Sequence, residues 1–247
     1  FVNTVVKLTL DWEFFEEIQL DLWDNVDMMD DGSLLFNTRD GWGQDSWIKE
    51  YLPNGTTRNV WNCSNHFEDC YSNTINWNSF DDTVLWCSPY ANTIVEVDRP
   101  TGDIVASFGT YGNYDFDPPG WGFSHPHYAN ITSSDTLFVS TYDVDSYYNQ
   151  VFVEFEIDRQ NQVLTEIWMY EEGNAWADSM GEVYPVGGGS DNLLGNYGSA
   201  GVIKEITRDK NIAWQVKFDA TFSDDTYNKM VGPWTLIDGL YAFNQGS

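Results

Sequence analysis

The sequence predicts an all-β fold, a β-propeller of four-stranded antiparallel blades, on three observations. A short apolar segment introduced by aspartate recurs as Asp31-Gly32-Ser33-Leu34-Leu35, Asp82-Thr83-Val84-Leu85, Asp135-Thr136-Leu137-Phe138 and Asp191-Asn192-Leu193-Leu194, at intervals of 51, 53 and 56 residues. A second set interleaves with it: Glu50, Glu96, Glu156 and Glu205 are each followed 9 to 12 residues later by an aromatic, namely Trp61, Phe108, Trp168 or Trp214. A period near 50 built from paired short strands is the signature of propeller blades. Aromatic residues make up 17% of the chain, with 12 tryptophans, so broad flat side chains are at hand to fill the spaces between sheets. A chain of 247 residues suits one large all-β domain spanning 1–247.

The elements follow in order. Val5-Val6-Lys7-Leu8-Thr9-Leu10-Asp11 reads as a lone strand of the Glu type. Leu34-Leu35-Phe36 and its counterparts after Asp82, Asp135 and Asp191 read as inner strands. Each Glu-type strand runs into a turn such as Pro53-Asn54-Gly55, Pro100-Thr101-Gly102 or Asp209-Lys210-Asn211, and Ile94–Val97 with Ile104–Phe108 forms the next hairpin. Leu236-Ile237-Asp238-Gly239-Leu240-Tyr241 reads as a lone strand of the Asp type. Strands from both termini then complete one blade and close the ring, removing open edges. This gives five blades, or six if residues 110–130 or 219–232 supply irregular strands. Insertions at 62–73, 109–130 and 171–186 form the long loops where binding and catalysis concentrate.

Charge narrows the function. With 39 acidic against 11 basic residues and a net charge of −28, the chain lacks the basic footprint that nucleic acid or an anionic membrane surface requires. The acidity fits solubility in a salty medium, and also a cationic partner. No run approaches the 18 or more apolar residues of a membrane span, so no membrane insertion is expected. Cys63 and Cys70 lie in a polar segment at a spacing that permits a disulfide-closed loop; with His66 they supply only three zinc ligands, at a spacing that fits no common structural pattern. Cys87 sits in an apolar run and reads as a buried thiol. Sequons at Asn54, Asn62 and Asn130 are candidate glycosylation sites. These features point to a secreted, extracellular or periplasmic protein.

Two of the three histidines, His125 and His127, fall in one segment just after Trp121. In a propeller His127 enters from a loop near the axis, where a neutral imidazole serves as base, nucleophile or ligand, or hydrogen-bonds a neighbouring blade structurally. His125 and Trp121 are candidate binding residues beside it. The acidic run from Asp24 to Gly32, with Asp143 and Asp145, offers oxygens that suit Ca²⁺, but its spacing is not that of an EF-hand, and solvated turns account for it. No other cofactor is expected.

The segments Tyr71-Ser72-Asn73-Thr74-Ile75, Asp82-Thr83-Val84-Leu85, Asn92 to Ile104, Phe123-Ser124-His125-Pro126-His127-Tyr128-Ala129 and Val153 to Asp158, continuing to Trp168 and Met180-Gly181, resemble the arylsulfotransferase family of β-propellers over roughly residues 70–215. The resemblance implies sulfuryl transfer between phenols through a histidine nucleophile, which falls on His127. The family's asparagine falls on Asn73, while its assisting histidine is replaced by Tyr71. Its arginine is missing around Ser88-Pro89-Tyr90, and its histidine near Asp24-Asn25-Val26 is missing too. Sulfuryl transfer builds negative charge on equatorial oxygens, and losing one donor aimed at it costs on the order of 100 to 1000-fold. The expectation is a scaffold with a depleted site, acting as a binding or structural module whose partner is a small aromatic or sulfated ligand, other copies or extracellular proteins. The alternatives are an active aryl sulfate:phenol sulfotransferase using His127, Asn73 and Tyr71, and a subunit of an extracellular filament or surface assembly.

Overall fold

The structure, a computed structural model, describes residues 3–8, 14–23, 25–40, 45–120, 122–143, 149–176, 181–187 and 189–218. Strands β1 (Asn3–Leu8) and β2 (Phe14–Leu20) pair as a hairpin. The first blade holds β3 (Val26–Met28), β4 (Leu34–Asp40), β5 (Asp45–Tyr51) and β6 (Thr57–Asn62). The second holds β7 (Thr74–Asn78), β8 (Thr83–Ser88), β9 (Thr93–Asp98) and β10 (Ile104–Gly109). After the short β11 (Asp115–Asp117), the third holds β12 (Ser124–Ile131), β13 (Thr136–Tyr142), β14 (Asn149–Asp158) and β15 (Val163–Trp176). The fourth holds β16 (Gly181–Gly187), β17 (Ser190–Tyr197), β18 (Val202–Ile206) and β19 (Ile212–Lys217). Each blade is an antiparallel meander in sequence order, and β11 joins the third as a fifth strand, parallel to β15.

Alternation along the strands explains the stacking. Central strands are buried on both faces, so successive side chains enter two different interfaces. Val84 and Trp86 pack with Leu35, Ile48 and Trp61 of the first blade, whereas Leu85 points the other way, to Leu137, Val139 and Phe155 of the third. Phe138 and Phe152 then meet Val183, Leu193 and Ile206 of the fourth. Gly195 is required there: a Cβ on it would stand 2.3 Å from the Phe152 ring. The turn aspartates Asp82 and Asp135 take φ of 56° and 60°, a left-handed geometry that Asp tolerates better than most residues.

Neighbouring blades are also joined by a repeated ion pair. Arg99 donates to Asp82 of its own blade at 2.6 and 2.8 Å and to Glu50 of the preceding one at 2.9 and 3.0 Å. Arg159 does the same with Asp135 and with Glu96. Arg208 pairs with Glu154 and lies over the rings of Phe138 and Trp168. The carboxylates are buried: Glu50, Glu96 and Glu154 are 1%, 0% and 6% exposed.

Several expectations need correction. The segments beginning at Leu34, Val84, Leu137 and Leu193 are second strands, hydrogen-bonded on both edges; the strands that approach one another along the axis side are β3, β7, β12 and β16. Glu154, not Glu156, holds the position of Glu50 and Glu96, because Glu154 pairs with Phe138 as Glu96 pairs with Leu85, while Glu156 is exposed. The first strand is not alone, since β1 pairs with β2. Parts of the expected loops at 109–130 and 171–186 are strands. The described residues contain four blades and the hairpin; Leu236–Tyr241 and the ring closure drawn from it lie outside them.

Candidate functional site

The approach to the axis is set by how β12 begins. Ser124 is clasped by Thr141, its amide donating to the hydroxyl at 3.0 Å and its carbonyl accepting from it at 2.8 Å. Between Ser124 and Tyr128 the register with β13 shifts, and His125 takes a φ of 52°, with its amide donating to the Asn92 side chain at 2.8 Å. Such a bulge re-aims side chains near an edge.

His125 therefore joins an aromatic chain on this face. Its ring centroid lies 6.0 Å from that of Tyr90 and 5.9 Å from that of Tyr142, and Tyr90 meets Tyr71 edge-on at 4.7 Å. Tyr90 is 59% exposed, so the chain has a solvent-facing ring. Burial lowers the pKa of His125.

His127 lies within β12 rather than in a loop ahead of it. Its carbonyl accepts from the Thr74 hydroxyl of the second blade, and a hydrogen bond joins it to the Gly181 backbone of the fourth. Burial drives its pKa down to about 4, with the Gly181 bond partly opposing, so the imidazole is neutral near pH 7. Its Nδ1 is enclosed and has no hydrogen-bond partner among the described residues. Gly181 leaves no room for a side chain, since a Cβ there would run into Gln150 and Ser140.

Asn73 precedes Thr74, is partly buried, and donates its backbone N–H to the Cys87 carbonyl at 2.9 Å. Tyr71 and His125 are linked through Tyr90, and β7 is fastened to β12 beside His127. Trp121 lies outside the described residues. The rings of Tyr128 and Tyr184 have centroids 4.7 Å apart, Tyr184 is hydrogen-bonded with Glu182, and the charge of Asp27 acts on both phenols. Burial raises the Asp27 carboxyl pKa, opposed by the Trp77 amide, which donates to it at 2.7 Å. Burial likewise raises both phenols well above their ordinary range.

Cations are placed elsewhere. Arg58, Arg99, Arg159 and Arg208 are each engaged by a carboxylate, and the Arg39 side chain lies outside the described residues. Among the described residues no group of three or more His, Cys, Asp or Glu converges to hold a metal ion; Asp31 accepts from the Ser33 amide at 2.8 Å in its own turn, and Asp24 and Asp145 lie outside the described residues. Cys63 and Cys70 form a disulfide with a Cα–Cα distance of 5.6 Å, and Cys87 is a buried thiol whose pKa burial raises to about 12. Of the sequon asparagines, Asn54 is exposed and Asn130 partly buried in β12. Asn62 is 8% exposed and caps the turn at Cys63 by accepting from Ser64, which counts against a glycan there.

Solved structures share this architecture. Virginiamycin B lyase from Staphylococcus aureus superposes with a TM-score of 0.53 at 16% identity, over 89% of this chain and 64% of that one. The β-propeller domain of Myceliophteria thermophila Cps50 superposes with a TM-score of 0.54 at 11% identity, over 87% and 67%. A putative 6-phosphogluconolactonase from Bacteroides fragilis superposes with a TM-score of 0.51 at 14% identity, over 88% and 65%. The chain is a β-propeller. At these identities the likeness carries the fold alone, and the chain spans 64% of the lyase's length. No family model and no curated protein matches it. No helix among the described residues is long and apolar enough to cross a membrane.

The residues that sequence reasoning passed over are Tyr90, Tyr142, Glu182 and Tyr184. Tyr90 carried a signal, an aromatic side chain in the Ser88-Pro89-Tyr90 segment around which the resemblance leads one to expect an arginine. The other three sit in strands, where nothing local marks the side that faces the axis.

Proposed function

We propose that the chain is a secreted or periplasmic binding module that takes a small neutral aromatic ligand on the Tyr71, Tyr90, His125 and Tyr142 face, and that it has lost the sulfuryl transfer of the arylsulfotransferases it resembles. The observation that carries this reading is the placement of the cations. Transfer of a sulfuryl group needs fixed positive charge at the developing oxyanions. Here Arg99, Arg159 and Arg208 are committed to carboxylates between blades, while Asp27 and Glu182 act on Tyr128, the residue that follows His127. A sulfate would meet like charge. An aromatic ring, by contrast, finds edge and face partners worth about 0.5–1.5 kcal/mol each. The Cys63–Cys70 disulfide supports an oxidising compartment.

Two measurements test it. Incubation with 4-nitrophenyl sulfate and phenol is expected to give no transfer, and turnover that disappears in His127→Ala overturns the loss of activity. Titration with 2-naphthol is expected to saturate and to weaken about tenfold in Tyr90→Ala, a loss of about 1.4 kcal/mol; unchanged affinity overturns the assigned face.

One observation favours the second reading, an active sulfotransferase. The imidazole of His127 is neutral, as a nucleophile must be, and Asn73 and Tyr71 belong to the adjoining β7 region; its enclosed Nδ1 would have to be uncovered before it could attack.

A further inference from the structure

A cleft of about 350 Å³ opens beside the aromatic face, between the segment after β11 and the ends of β13, β14 and β15. It is a separate space from the Tyr71–Tyr90 contact, sharing only Tyr142. Its floor is apolar: Val151 is 2% exposed, Met169 packs on the core between the second and third blades, and Pro119 closes one side. Two carboxylates, Asp143 and Glu171, stand over that floor.

Asn149 ties the two segments that carry them together. Asn149 accepts from the Asp143 amide through its carbonyl at 2.9 Å and donates from its side-chain amide to Glu171 at 2.6 Å. Glu171 is also the register partner of Val151 in the sheet, so the two side chains leave the same face side by side. None of the residues lining the cleft is Lys, Arg or His. The volume falls within the ordinary range of small-molecule sites, roughly 300–1,000 Å³.

We infer that this cleft binds an organic cation, a primary ammonium on an apolar stem of two to four carbons. The stem covers Val151 and Met169, Tyr142 offers a ring, and the ammonium sits between Asp143 and Glu171. A cation over a tyrosine face gains about 0.5–1 kcal/mol at an exposed site, and each carboxylate adds to it. The net charge of −28 draws cations to the surface and repels anions before contact. A free amine and the side chain of a partner's lysine present the same chemistry.

The test is calorimetric titration of the intact protein with phenethylamine, with phenethyl alcohol as its neutral isostere, and with Nα-acetyl-lysine methylamide. Phenethylamine is expected to saturate, to bind about tenfold more tightly than the alcohol, and to weaken about tenfold in the Asp143→Asn, Glu171→Gln double variant. Raising salt should weaken the amine and leave the alcohol unchanged. Equal affinity of the lysine derivative identifies protein lysines as a source; binding of phenethylamine alone identifies a free amine. Equal binding of alcohol and amine, unchanged affinity in a double variant that melts like the parent, or no saturation up to about 10 mM overturns the inference. Glu171→Gln keeps an acceptor for Asn149, and amine binding by Glu171→Gln alone provides a second readout in case the double variant is unstable. The 2-naphthol titration does not depend on Asp143 or Glu171, so the two readings fail separately.

Discussion

Arg159 reaches back across a blade boundary to Glu96, whose side chain is wholly buried, with its Nη1 2.9 Å from one carboxylate oxygen. Besides that guanidinium, Glu96 accepts from the Thr83 hydroxyl at 3.0 Å. Glu50, in the same position one blade earlier, is held by Arg58 as well as Arg99. Breaking a buried pair by removing one partner costs roughly 3–5 kcal/mol, because a charge is left without compensation. Arg159→Met is therefore expected to cost about 3 kcal/mol and Arg99→Met about 1 kcal/mol, as Arg58 remains. Urea unfolding of the two variants checks the order, and adding Glu96→Gln to Arg159→Met should recover part of the loss.

Gly195→Ala is expected to destabilise by about 2 kcal/mol or more, since the new methyl meets a ring between two blades in a packed interior. The Cβ would lie 2.3 Å from Phe152, a fully buried side chain. Phe152→Leu in the same chain should relieve part of the clash, which thermal melts of the single and double variants will show.

The pH dependence of stability carries a contribution from His127. Its folded pKa of about 4 lies below the ordinary value of 6.5, so the unfolded chain binds the proton more tightly. Stability from this group is complete above pH 6.5 and falls as pH drops toward 4, by about 3 kcal/mol in all. Asp27 acts in the opposite sense: burial raises its carboxyl pKa, so the native state gains relative stability as that group protonates. Comparing unfolding free energies of parent and His127→Gln from pH 4 to 7 isolates the histidine. The difference should be flat above 6.5 and change steadily below it.

Reduction of Cys63–Cys70 should lower stability by about 2.5 kcal/mol, the entropy released when a short loop is opened. The two cysteines are seven residues apart and both are fully buried. Denaturant unfolding with and without dithiothreitol measures it, with a Cys87→Ser variant excluding exchange with the remaining thiol.

The propeller was legible because its period is written in turn residues: Asp82 and Asp135 each stand where the chain must adopt positive φ. The disulfide and the buried thiol were legible for the same local reason, the contrast between a polar segment and an apolar run. What did not read correctly depends on register. Glu156 precedes Arg159 by the spacing that separates Glu96 from Arg99, yet Glu154 is the buried residue, because β14 pairs with β13 two residues further along. β11 falls in the 110–130 segment left open for irregular strands, and its place in the sheet was hidden because three residues lying parallel to β15 leave no alternation to detect. At the candidate site, the pair His125 and His127 stood out by composition, whereas the partners that give them surroundings, Tyr90, Tyr142 and Gly181, come from three other segments of the chain.

The ion pairs between blades have a direction. Each arginine serves the blade behind it, and each buried glutamate awaits an arginine from the blade ahead. A whole repeat duplicated or deleted in frame preserves this match at both of its borders, because every copy carries the glutamate toward one neighbour and the arginine toward the other. The same contact that holds the blades together thus acts as a grammar for their order, and permits arrays of this kind to lengthen or shorten by whole repeats without rewriting the interfaces.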